Sequence, residues 1–169
     1  MAQLKSIKTH SGVWYSLAVA RILLAGTFLW AFFDKLVGLG FATPAARAWV
    51  NGGSPTSGFL KNVEGPFAGL FTPLAGQGWP DWLFMLGLLG IGVALLLGVG
   101  VRIAALSGAV LLTSMWLASF PLENNPLIDD HLVYIAVLAA IAYGVANQRW
   151  SLGAWWRSQT SVKKNRWLW

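Results

Sequence analysis

The chain has 169 residues, 56% hydrophobic and only 11% charged, with a formal net charge of +6. No stretch is polar enough to clothe a soluble core of its own, so the composition excludes an ordinary soluble domain and reads as an all-α integral membrane protein. Cysteine is absent, which removes disulfides, iron–sulfur ligation, thiolate nucleophiles and covalent haem attachment; no metal site is expected either.

Met1–Gly12 is a short basic lead resembling the n-region of a signal peptide, and Ala46-Arg47-Ala48 offers a small-residue cleavage motif. The apolar run that follows is longer than the ~7–15 residues of a signal and is interrupted by Arg21, so it reads as retained.

Four apolar runs follow: Val13–Phe33, Trp82–Val101, Ile103–Phe120 and His131–Ala146. Each is near the ~20 residues needed to cross hydrocarbon, the last only if extended back to Ile128. The expected fold is a four-helix membrane bundle over residues 13–146, with a long outer loop carrying short interfacial helices and a basic, Trp-rich tail at 147–169.

In the first run Arg21 and Lys35 are fourteen residues apart, which places them within ~40° of each other on one helix face and about 21 Å apart along the axis. A cationic stripe facing lipid is costly, so this face should point into the bundle, with Arg21 near the inner interface and Lys35 at the outer end. Asp34 projects about 100° from Lys35, so each needs another partner.

Residues Val37–Pro80 form a link too rich in aromatics for a solvated loop: Phe41, Trp49, Phe59, Phe67, Phe71 and Trp79 punctuate it. Short surface helices are expected at Pro44–Val50 and Pro66–Leu74, broken by Asn51-Gly52-Gly53-Ser54-Pro55. The link either caps an outer pocket or docks another subunit.

In the second run Gly90, Ala94 and Gly98 recur every four residues, as do Ala136, Ala140 and Gly144 in the fourth; both stripes read as close helix contacts. Gly98-Val99-Gly100-Val101-Arg102 predicts a tight turn and an antiparallel pair. Trp14, Trp79, Trp82, Trp116 and Trp150 fit interfacial belts, with a quinone or pigment contact as the other use of any one of them. The tail from Trp155 to Trp169 mixes cations with indoles and belongs on the cytoplasmic leaflet or against a peripheral partner.

The stretch Asn124 to Tyr134 puts two carboxylates, an imidazole and a phenol at the head of the fourth run. Asn125 reads as N-cap and Pro126 as the first helical residue, with the acids facing the positive end of the helix dipole. His131 and Tyr134 fall on one face.

Charge sets the orientation. Seven of the twelve Lys and Arg lie in the tails (Lys5, Lys8, Arg149, Arg157, Lys163, Lys164, Arg166), and Arg102 lies in the tight turn, whereas all six acids flank the other two links. Both termini are therefore expected in the cytoplasm, with the positive excess a topology signal and anionic-lipid contact rather than a nucleic-acid footprint. His10 and His131 fall on opposite sides, which argues against a bis-histidine haem. At the outer end, Asp34 and Lys35 can meet Asp129, Asp130 and His131. Lys35 with Asp129 or Asp130 is then either a structural ion pair or part of a polar pocket, with Lys35 as anion contact and His131 as proton carrier.

The pattern Ala20-Arg21-Ile22 through Asp34-Lys35-Leu36, then Ser54-Pro55-Thr56-Ser57-Gly58-Phe59-Leu60, Gly92 to Gly98 with Arg102, and Asn125-Pro126-Leu127-Ile128-Asp129-Asp130-His131-Leu132-Val133-Tyr134 resembles the DoxX/DoxD family of four-helix membrane proteins. The resemblance spans roughly residues 13–157. It implies a subunit like the large subunit of thiosulfate:quinone oxidoreductase, passing electrons from thiosulfate to membrane quinone, with a second protein subunit or a larger membrane complex as partner. The candidates are His131, Asp129 and Asp130 as catalytic groups, and Lys35, Arg21, Asp34 and Tyr134 as substrate contacts. The rival reading is a non-catalytic accessory subunit of a respiratory or photosynthetic complex.

Overall fold

The computed structural model describes residues 11–169, and every regular element among them is helical. Expectations for Lys5, Lys8 and His10 lie outside the described residues. The helices are α1 (Ser11–Val37), α2 (Ser57–Lys61), α3 (Ala68–Phe71), α4 (Gly78–Leu97), α5 (Val101–Ala118), α6 (Asp130–Tyr143), α7 (Gly153–Ser158) and α8 (Thr160–Lys164), with short 3-10 turns in the connections. Helices α1, α4 and α5 are long and apolar enough to cross a membrane; α6, at 14 residues, is a shorter apolar helix.

α6 starts later than the head of the fourth run suggests. Asn125 Oδ1 accepts from Leu127 N and Ile128 N at 2.9 Å each, closing a local turn instead of capping a helix. The first side chain to satisfy a helical N–H is Asp129, whose Oδ1 accepts from His131 N at 3.1 Å. Trp116 Nε1 donates to Leu127 O at 3.0 Å and ties this connection to the end of α5.

α1 packs along α4, α4 beside α5, and α5 along α6, while α6 meets α1 more thinly. The shared core includes Ala25 and Phe28, Met85 and Leu95, Ala104, and Leu138. The outer faces are apolar too: Leu23, Trp30, Leu83, Leu86, Leu106, Val110 and Val133 are exposed. Water would penalise so much apolar surface, whereas hydrocarbon would not.

The four-residue stripes make close contacts at some of their positions and not at others. Gly90 has open space around its Cβ position, and Ala136 and Ala140 are exposed. Gly144 does pack closely, a Cβ there meeting Leu17 at 3.1 Å and Trp14 at 3.2 Å on α1; outside the stripes, a Cβ at Gly92 would stand 2.7 Å from Leu29 Cγ and 3.2 Å from Leu29 N, and one at Gly108 would meet Leu138. A stripe at i+4 drifts around a helix of 3.6 residues per turn, and only the buried side of α4 faces α1. Gly98 does a different job. With Gly100 it adopts a left-handed conformation (φ 70° and 58°) that reverses the chain between α4 and α5.

The two ends of the packed helices differ in charge. One carries the link at 38–77, the link at 119–129 and all six acids; the other carries Arg102 and the tail, with no acid in residues 144–169. The tail folds back against the start of α5: Arg102 N donates to Trp169 O at 2.8 Å and Trp156 Nε1 to Leu168 O at 2.7 Å. The long link is packed as well, with Leu60, Val63 and Phe71 forming a second apolar cluster with Ala118.

Candidate functional site

Lys35 occupies the last turn of α1, half-buried, on the wall shared by two cavities. The first, ≈ 530 Å³, is lined by Lys35, Arg47 and the polar segment from Asn51 to Ser57. The second, ≈ 340 Å³, is apolar and runs between Phe59, Phe71 and Leu74 of the link, Leu83 and Phe84 of α4, and Leu111 and Met115 of α5. The Lys35 ammonium lies 6.0 Å from the centre of the Phe84 ring, so the charge itself sits toward the aromatic side of the shared wall. No ion pair of Lys35 exists among the described residues. An ammonium without an ion pair among the described residues, on a cavity that Arg47 also lines, has the charge to receive an anion.

The wall between the cavities is pinned by Asp81 in the first turn of α4. Its buried Oδ1 accepts from Thr56 Oγ1 at 2.6 Å, Ser54 Oγ at 2.8 Å and Thr56 N at 3.0 Å. Ser54 Oγ also lies 2.8 Å from Ser57 Oγ, and with its single proton on the carboxylate it accepts from Ser57 there. Three donors on one carboxylate oxygen make a charge-assisted anchor, and the helix N-terminus favours the negative charge. Sequence reasoning missed Asp81, counting it only as a loop charge, and treated Arg47 only as part of a cleavage motif. The available signal was an acid opening an apolar helix, downstream of a Ser-Pro-Thr-Ser cluster whose donors need an acceptor.

Asp34, 2% exposed, turns away from Lys35: Oδ1 lies 3.4 Å from Phe41 N, and Oδ2 has no partner among the described residues. It holds the chain reversal after α1, where Gly38 N also donates to Asp34 O at 2.9 Å.

Asp129, Asp130 and His131 form a separate group. His131 Nδ1 stands 2.6 Å from Asp129 Oδ2 and 3.7 Å from Asp130 Oδ1. Both Asp129 oxygens are thus engaged, one on the helix cap and one on the imidazole, and the three residues could bring ligand atoms within 4.8 Å of one another. This arrangement fixes the ring and leaves Nε2 free to exchange a proton. None of the three lines either Lys35 cavity. The expected meeting of Lys35 with Asp129 or Asp130 is therefore not made, because Lys35 turns toward α4 and the link while the acids serve the start of α6. Tyr134 packs against the main apolar core.

Arg21 does not join these groups at all. It is 1% exposed, at the opposite end of α4. Nη1 donates to Leu95 O and, at 2.9 Å, to Leu96 O; Nη2 donates to Trp150 O at 2.8 Å and Arg149 O at 3.2 Å. The last four carbonyls of α4 have no helical partners. Here Gly98 N and Val99 N take Ala94 O, Arg21 takes Leu95 O and Leu96 O, and Leu152 N takes Leu97 O. Arg21 clamps the negative end of the α4 dipole, apart from the residues expected to form a substrate site with it.

The geometry thus separates a cationic, partly apolar site at Lys35 from an imidazole–carboxylate pair at the head of α6. Comparison with protein-family models, with curated proteins and with solved structures yields no match.

Proposed function

We propose that the chain is a DoxX/DoxD-like four-helix protein of a prokaryotic cytoplasmic membrane, with both termini cytoplasmic, that passes electrons from thiosulfate or a similar small sulfur anion to membrane quinone. The observation that carries this reading is Lys35 on the common wall of a polar cavity and an apolar one. A small dianion fits the first beside Lys35 and Arg47; a quinone ring fits the second beside Phe84 and Leu83. Two thiosulfates joined by a new S–S bond give tetrathionate and release two electrons, and quinone takes those electrons with two protons to become quinol. Holding the two reactants on either side of one wall supplies the proximity that direct transfer needs. The two protons are drawn from water at this end of the helices, with His131, its Nδ1 held by Asp129, as a relay to that water and not a group touching quinone.

The test is purified protein in quinone-loaded vesicles, with thiosulfate added and both tetrathionate and quinol measured. One tetrathionate per quinol is expected. Thiosulfate left unconsumed at every quinone level would sink the oxidoreductase reading.

A second reading draws on the wide apolar cleft between α1 and α6, ≈ 900 Å³, lined by Gly12, Ser16, Ala20, Ala136 and Ala140 among others. An accessory subunit would seat a partner's helix there. Stoichiometric recovery within a larger membrane complex, without thiosulfate turnover, supports that alternative.

A further inference from the structure

The end opposite Lys35 holds a groove that the scheme above does not use. It runs between α5 and α6, ≈ 410 Å³ in volume, and Arg102, Tyr143 and Trp167 stand at one end of it. Its floor is Ala105, Ala109, Ala139 and Ala142. Positions 102, 105, 106 and 109 share one face of α5 and span about 10 Å along the axis. Alanines on both helices leave unfilled the space that larger side chains would occupy, so the channel exists because of the sequence there.

Among the described residues the polar end carries an excess of cations with no acidic side chain against it. Arg102, Arg149, Arg157, Lys163, Lys164 and Arg166 gather at this end, and residues 144–169 contain no acid. Both ion pairs among the described residues involve His131 at the other end. The Arg102 guanidinium lies 5.7 Å from the Trp169 ring and donates one hydrogen bond among the described residues, from Nη1 to Arg166 O at 2.8 Å. An arginine has five N–H groups, so most of its donors remain to be used. Tyr143, 90% exposed, and Trp167 supply the amphipathic rings typical of the headgroup level.

We propose that this groove is a binding site for one anionic phospholipid, with an acyl chain lying over the alanines and the headgroup phosphate on Arg102. The occupant follows from charge and shape together: an apolar channel ending at an arginine with spare donors, in a region rich in cations, fits an anionic amphiphile rather than a zwitterionic one. A polybasic surface alone would attract anionic lipids diffusely; the groove makes one position, Arg102, dominate. The site rests on the membrane reading of the helices but not on the redox chemistry.

The experiment uses the full chain, first floated with phosphatidylcholine vesicles to verify insertion, then stripped in detergent and given equal dioleoyl phosphatidylglycerol and phosphatidylcholine. Retained lipid is counted by native mass spectrometry. One phosphatidylglycerol per chain is expected, in preference to phosphatidylcholine. Arg102→Gln should lower that preference about five-fold, and Arg102→Lys should keep most of it. Ala139→Phe, which fills the channel, should lower retention of the dioleoyl lipid but leave dihexanoyl phosphatidylglycerol unaffected. Equal retention of the two headgroups, an Arg102→Gln effect no larger than that of Lys163→Gln, or full dioleoyl retention by Ala139→Phe would each overturn the site. Failure to insert into vesicles would instead remove the membrane reading and the site with it; insertion without headgroup preference removes the lipid site alone.

Discussion

Asp81 Oδ1 stands 2.6 Å from Thr56 Oγ1, twenty-five positions away in the chain. That bond and its two companions from Thr56 N and Ser54 Oγ fasten the long link to the first turn of α4. Because Pro55, Thr56 and Phe59 line the apolar cavity and Ser54 and Ser57 the polar one, the carboxylate controls the shape of both.

Asp81→Ala should therefore destabilise the protein by about 3 kcal/mol, through donors left unpaired in a buried place. Under the proposed activity it should also raise the KM for thiosulfate and for quinone together, because the released segment lines both cavities. Thermal unfolding in detergent with steady-state kinetics on vesicles checks both. Asp81→Asn keeps an acceptor oxygen and should lie between.

Lys35→Ala removes the cation at the common wall and should abolish thiosulfate turnover while leaving the helical signal and unfolding temperature near those of the parent. Lys35→Arg retains charge and should recover part of the rate. Normal turnover in Lys35→Ala would show that no anion is held there.

Arg21→Lys should destabilise the fold by about 2 to 4 kcal/mol although charge is conserved. A single ammonium cannot reach the carbonyls of Leu95, Leu96, Arg149 and Trp150 from one stem, and some are left unpaired. The loss should appear in unfolding, with the thiosulfate KM of the folded fraction unchanged.

His131→Ala should leave α6 in place, since the cap is Asp129 Oδ1 on a backbone N–H. The proposed proton route predicts slower quinol formation at unchanged thiosulfate affinity. Asp129→Ala loses the cap as well, about 1 kcal/mol, and should show both the slower turnover and a lower unfolding temperature. If His131→Ala turns over at the parental rate, the imidazole has no part in proton supply.

Gly92→Leu tests the α1–α4 contact. A Cβ there would meet the Leu29 side chain and approach its backbone N at 3.2 Å. Overpacking of about 1–3 kcal/mol is expected, whereas Gly90→Leu, with open space at its Cβ position, should be nearly neutral. Equal losses at both would mean α4 does not face α1 through Gly92.

The helices themselves were readable because apolar runs, a glycine turn and the absence of long polar stretches are local properties. The existence of α1, α4 and α5 follows from them, as does the reversal at Gly98 and Gly100, but not their bounds: α1 continues past Phe33 to Val37, and α4 runs Gly78–Leu97 where the apolar run is Trp82–Val101. The head of α6 was misread for a local reason: Asn125 and Asp129 both have capping chemistry, and only the backbone path decides which one meets a helical N–H. Lys35 was rightly singled out as lying at the end of α1 that carries the acids, yet its neighbours were wrong. Helix rotation chooses between facing α6 and facing α4, and a side chain's own position in sequence does not encode that choice.

Composition alone determined that this chain is built of apolar helices, and charge placement alone that its two ends differ, since both depend on summed transfer energies and not on contacts. Tertiary structure decided that Arg21 clamps the end of α4, that Asp81 anchors Ser54 and Thr56, and that His131 is held by Asp129 while Lys35 fronts two cavities. Those pairings join residues far apart in the chain, and each is settled by which unpaired carbonyl or carboxylate happens to lie within a hydrogen bond's length once the helices have packed.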